Sequence, residues 1–196
     1  MTALFRAAFA ILVFFPSAAF AHTGIGDTHG FAHGFAHPLS GIDHILAMAA
    51  VGMFAASLGG RALWLVPLSF VGMMGLAGAM GALGMPLPFV ETGIALSVVA
   101  LGLVVAFRLK PPVVAAMALA GFFALFHGHA HGAELPENVS GLAYGAGFML
   151  ATALLHVAGI GIGLSLGAPK SGGERLLRLT GGAMSLAGAG LLFGVL

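Results

Sequence analysis

The feature that most restricts the fold of this chain is a succession of apolar runs, each close to one bilayer crossing in length and separated by only a few turn residues. Between their breakers the runs cover residues 41–60, 62–84, 89–107, 112–131, 139–166 and 176–195. About 20 predominantly apolar residues suffice for a helix to cross the hydrocarbon core of a membrane. The connections are short: Gly59-Gly60-Arg61, Met85-Pro86-Leu87-Pro88, Arg108 to Pro112, Glu134 to Asn138 and Pro169 to Arg175. Charged residues make up 7% of the chain, against about 25% in a soluble domain. A water-facing surface cannot be built from so few charges. The expected fold is therefore all-α, a polytopic membrane bundle of six transmembrane helices whose solvent is the lipid bilayer.

Ahead of these runs, residues 1–21 have the form of a cleavable signal peptide. Arg6 precedes the apolar stretch Ala7 to Phe15, then Pro16, then the small-residue cleavage pattern Ala19-Phe20-Ala21. Cleavage after Ala21 leaves residues 22–196 as one transmembrane domain whose mature chain begins at His22 on the outer, periplasmic face of a bacterial inner membrane. With that start, Arg61, Arg108, Lys110, Lys170, Arg175 and Arg178 all fall on the cytoplasmic side. That is the distribution expected of lysine and arginine near the ends of membrane spans. Asp27, Asp43, Glu91, Glu134 and Glu137 fall on the outer side, and Glu174 falls inside.

Glycine recurs within the runs, at Gly72, Gly75, Gly78, Gly81 and Gly84 and again at Gly159, Gly163 and Gly167. Small residues at such spacing let helix backbones approach closely where lipid supplies no hydrophobic drive to pack. They predict a tight bundle, and a glycine-rich face through which a homo-oligomer could form.

The polar residues are concentrated. Eight of the nine histidines lie in two groups that the topology puts at the outer surface. The first contains His22, His29, His33 and His37, followed by Asp43 and His44 where the first span opens. The repeat His29-Gly-Phe-Ala-His33-Gly-Phe-Ala-His37 spaces imidazoles by four, although its glycines and Pro38 argue against a stable helix there. A carboxylate beside an imidazole at the mouth of a span is costly to bury unless it is paired or meets a cation. Met48, one turn below His44, could add a thioether. The second group, His127-Gly-His129-Ala-His131-Gly-Ala-Glu134, closes the fourth span. On a helix its His127, His131 and Glu134 form one stripe, with His129 pointing elsewhere. Glu91 opens the third span at the same outer level and could complete a site. His156 lies past the midpoint of the fifth span, where it is either a core histidine or an inner station on a path.

The chain has no cysteine, so a metal here must be held by imidazole, carboxylate, thioether or oxygen. Imidazole with carboxylate suits nickel, cobalt, zinc or copper(II). A net charge of +1 implies no nucleic-acid partner, and no G-x-x-x-x-G-K-[ST] nucleotide motif is present.

The stretch His37-Pro38-Leu39-Ser40-Gly41-Ile42-Asp43-His44, with its H-x5-D-H spacing, and the stretch Phe126 to Glu134, of the form FHG-x-A-HG-x-E, together resemble the HupE/UreJ family. Members are regarded as nickel or cobalt permeases, often encoded beside hydrogenase or urease genes. The resemblance covers the whole chain and implies that His37, Asp43, His44, His127, His131 and Glu134 handle metal. His33 is extra to the family pattern.

The expected function is thus a secondary permease, not an enzyme, that takes a divalent transition metal ion, Ni2+ first among candidates, into the cytoplasm with no prosthetic group. The alternative is an intramembrane zinc-dependent hydrolase with histidine ligands and a carboxylate base, although H-E-x-x-H is lacking. A haem carrier fits less well, because His44 and His156 sit at different depths.

Overall fold

The computed structural model describes residues 27–135, 140–167 and 172–196. The expected signal peptide over residues 1–21, His22, and the side chain of His29 lie outside that description. Among the described residues there are seven α-helices and no strand: α1 Asp27–Ala36, α2 Ile42–Leu58, α3 Ala62–Ala82, α4 Val90–Ala106, α5 Val113–Ala133, α6 Gly141–Leu166 and α7 Gly173–Leu192. A 3-10 turn, His37–Leu39, joins α1 to α2.

Helices α2 to α7 fall on the six apolar runs. Three of them, α3, α5 and α6, are long and apolar enough to cross a membrane, and Gly30–Leu39 with α2 makes a fourth candidate bent by 79°. Helix α4 is apolar over 17 residues. Helix α7 has 20 residues but opens on Glu174, Arg175 and Arg178, which lowers its mean hydropathy.

Close backbone contact holds the helices in pairs. On α5, a Cβ at Gly132 would collide with the carbonyl of Gly78 on α3, and one at Gly128 with the carbonyl of Met74. Helices α2 and α6 meet where Gly52 faces the carbonyl of His156 and Gly159 faces that of Ala49. Helices α4 and α7 meet at Gly102 and Gly181 in the same way. Of the two glycine stripes, Gly78 and Gly81 thus face the α3–α5 crossing and Gly159 and Gly163 the α2–α6 crossing, where only a missing side chain allows such approach, whereas Gly72 and Gly84 face open space. Met48, Val51, Phe54, Phe70 and Leu101 fill the centre and are fully buried.

The segment at His29 to His37 departs from expectation. Its glycines and Pro38 argue against a helix, yet Asp27–Ala36 is helical. The glycines serve packing: a side chain at Gly34 would strike the carbonyl of Tyr144 on α6, and one at Gly147 would strike that of Phe31. Contact with α6 repays the low helix propensity of glycine. Pro38 falls beyond the helix, at the start of the 3-10 turn, where no helical N–H is lost. Helix α1 therefore lies across the end of α6 that carries Tyr144. At the opposite end of the bundle, Arg108 after α4 forms an ion pair with Glu174 at the start of α7.

Candidate metal site

Four chain segments deliver side chains to one end of the bundle. His37 comes from the 3-10 turn, Asp43 and His44 from the first turn of α2, and Glu91 from the first turn of α4. His131 comes from the last turn of α5, and Glu134 caps that helix. These six residues line one open cleft of about 200 Å³.

Within the cleft, one ligand atom each of His37, His131 and Glu134 lies within 4.8 Å of the others. Two imidazoles and a carboxylate converging this closely can share one cation. His37 is half-buried, and burial first, then the nearby His44, lowers its pKa from 6.5. The ring is therefore held neutral, the form that binds metal. Glu91 stays exposed at the rim.

His44 stands behind this triad. Its Nδ1–H donates to Asp43 Oδ1 at 2.6 Å, and the same oxygen accepts the backbone N–H of His44 at 2.8 Å. A carboxylate so placed selects the tautomer and leaves Nε2 as a bare lone pair. That Nε2 meets Nε2 of His131. Two lone pairs cannot face each other without positive charge between them. A proton on His131 Nε2 satisfies the pair when no metal is present, and a metal ion would displace it.

His127 diverges from the expected stripe. It lies one turn deeper than His131, is fully buried, and bonds to Ser97 on α4 rather than joining the triad. The Ser97 hydroxyl donates to the carbonyl of Ile94 at 2.6 Å, so Ser97 must accept the Nε2–H of His127 at 2.9 Å. Nδ1 of His127 is consequently a bare, buried lone pair without a partner. His44 still links the two levels, its ring centroid lying 4.5 Å from that of His131 and 5.1 Å from that of His127.

The other expected residues do not enter the cleft. His129 donates from Nε2 to the carbonyl of Met85 at 2.6 Å and so clasps the turn between α3 and α4. Exposed His33 sits with its ring edge-on to Tyr144, centroids 5.9 Å apart. Met48 is fully buried in the core below His44, and His156 is buried deeper still on α6. Ser97 and Phe70 were not singled out from the sequence. A serine within an apolar run was the one available signal for Ser97, and nothing distinguished Phe70 from the other core phenylalanines.

Helices long enough to cross a bilayer, with imidazoles and carboxylates gathered at one end, define a helical membrane protein with a candidate transition-metal site. The chain belongs to the HupE/UreJ protein family, whose model matches residues 10–191. Protein HupE of Rhizobium leguminosarum bv. viciae is 51% identical over 179 residues, which cover 91% of this chain and 92% of that protein. No solved structure matches the chain. The family is known for nickel and cobalt transport, and this chain is accordingly a membrane protein of a metal-transporter family.

Proposed function

We propose that the protein is a secondary permease that takes a divalent transition metal ion, Ni2+ in the first instance, across the bacterial inner membrane into the cytoplasm. The observation that carries this reading is the convergence of His37, His131 and Glu134 within 4.8 Å at one end of a membrane bundle. Nitrogen-rich donors with one carboxylate favour nickel, cobalt, zinc or copper over magnesium and calcium.

In this reading α2 to α7 are six spans. The 17 residues of α4 give about 26 Å at 1.5 Å per residue, which is at the short end for a crossing. Residues 1–21 are removed as a signal peptide, leaving residues 22–196 with an outer amino terminus and the cleft facing the periplasm. Arg61, Arg108, Arg175 and Arg178 then lie inside, as the positive-inside rule favours. The membrane potential suffices as a driving force: 100 mV, negative inside, contributes about 2.3 kcal/mol per charge and roughly 4.6 for a divalent ion.

The cleft collects the ion on His37, His131 and Glu134. His44, held in one tautomer by Asp43, offers its Nε2 next, and His127 lies beyond it. The deciding experiment is initial-rate uptake of labelled nickel into proteoliposomes by the intact protein, His131→Ala and Glu134→Gln at equal incorporation. The expected result is uptake by the intact protein and loss in both variants. Intact protein that binds nickel in detergent but moves none would overturn the reading.

A further inference from the structure

We infer that the protein holds a second, inner cation-binding station at His156, walled by Phe70, Met74 and Thr152 and separate from the cleft at the mouth. This rests on the permease reading, which supplies the direction of ion movement. His156 is 1% exposed, and neither ring nitrogen has a hydrogen-bond partner. A neutral imidazole carries one N–H and one lone pair, so both a donor and an acceptor are left open in the middle of an apolar bundle. Buried polar groups without partners are rare, and an ionisable side chain within a membrane span points to function.

The surroundings favour an ion. Phe70 on α3 packs edge-on against His156, with centroids 5.2 Å apart, and its ring also abuts His127 at 5.7 Å. One turn nearer the mouth on each of these two antiparallel helices, Thr152 on α6 bonds to the sulfur of Met74 on α3 at 3.8 Å. Phe70, Met74, Thr152 and His127 are all buried. These buried side chains, with His156, thus offer imidazole nitrogen, a hydroxyl and a thioether, with no carboxylate. Such neutral, borderline-to-soft donors suit nickel, cobalt, zinc or copper, and give a hard magnesium or calcium ion little. A station without fixed negative charge also holds a cation less tightly than a carboxylate-bearing site, which eases its departure toward the interior.

The test uses the full-length purified protein and Co2+ as an equilibrium and spectroscopic probe, together with Ni2+ uptake in proteoliposomes. The intact protein should bind two Co2+ per chain. His156→Phe, which replaces the imidazole with an apolar ring, should bind one, keep the affinity of the outer site, and transport nickel roughly ten-fold more slowly or worse. A purely packing role predicts that phenylalanine is tolerated. His156→Phe that keeps both ions, or that transports like the intact protein, overturns the inner station. Should His156→Phe not fold, His131→Ala decides. One Co2+ must remain bound after the outer site is removed, and none remaining overturns the inference. Intact protein that fails to transport nickel overturns the permease reading alone, because the ion count is read separately.

Discussion

Asp43 and His44 are neighbours in the chain and partners in the site: Nδ1–H of His44 bonds to Oδ1 of Asp43 at 2.6 Å, which aims the opposite nitrogen at His131. In the proposed site Asp43 would therefore act on a metal ion through His44. Removing a carboxylate that orients a ligand imidazole typically weakens metal binding by about 10- to 100-fold. Asp43→Asn retains an oxygen that can accept from Nδ1–H, and should fall at the mild end of that range. Asp43→Ala frees the tautomer and should fall at the severe end. Titration calorimetry with Ni2+ would show the order, and an Asn variant as damaged as Ala would indicate direct ligation instead.

Ser97 holds His127 as Asp43 holds His44, but with a neutral group. In Ser97→Ala the Nε2–H of His127 is left buried without an acceptor, at a cost of about 1–3 kcal/mol. The ring should turn or change tautomer, and nickel uptake should fall roughly ten-fold, since about 1.4 kcal/mol corresponds to that factor. Ser97→Thr keeps the hydroxyl and should restore most of the rate. Equal uptake by the serine and alanine forms would show that this bond does not position His127.

How far the site could be read from the sequence depends on what joins its parts. The six apolar runs coincide with α2 to α7 because each is bounded by glycine, proline or charge, which are local signals. The histidines and carboxylates drew attention because polar groups are rare in so apolar a chain, and six of those singled out line the cleft. The helical stripe of His127, His131 and Glu134 was geometrically sound, yet its members part company. Ser97 on α4 takes His127, while His37 from the turn before α2 joins His131. Which helix faces which is a tertiary fact that periodicity along one helix does not contain. The same holds for α1, where glycine reads as a breaker alone and becomes a packing surface only against Tyr144.

Glycine at the α3–α5 crossing should be intolerant of a single methyl group. A Cβ at Gly132 would overlap the backbone of Gly78, whereas nothing lies within 4 Å of a Cβ at Gly72. Overpacking of this kind costs about 1–3 kcal/mol. Gly132→Ala should lower the melting temperature in detergent, and it should also impair uptake because His131 is the preceding residue. Gly72→Ala should leave both unchanged. Indistinguishable melting of the two variants would mean that the helices can part without penalty.

The dependence of uptake on external pH follows from the donors. Imidazole binds metal through a neutral lone pair, so protons compete with the ion and binding releases them. At His37 burial and the adjacent His44 lower the pKa from 6.5. A lowered imidazole pKa keeps the ring neutral to more acid pH, so binding competence is complete at pH 7 and is lost as the pH falls through a midpoint below 6.5. Initial nickel uptake measured at fixed membrane potential should therefore be flat from about pH 7 upward and decline on acidification, with the midpoint below the ordinary imidazole value. Replacing His37 with Ala should weaken binding and remove the contribution of this ring from the profile. Uptake that instead rises as the outside is acidified, at the same potential, would mean that protons drive the ion inward, and would replace simple competition at the cleft with proton coupling.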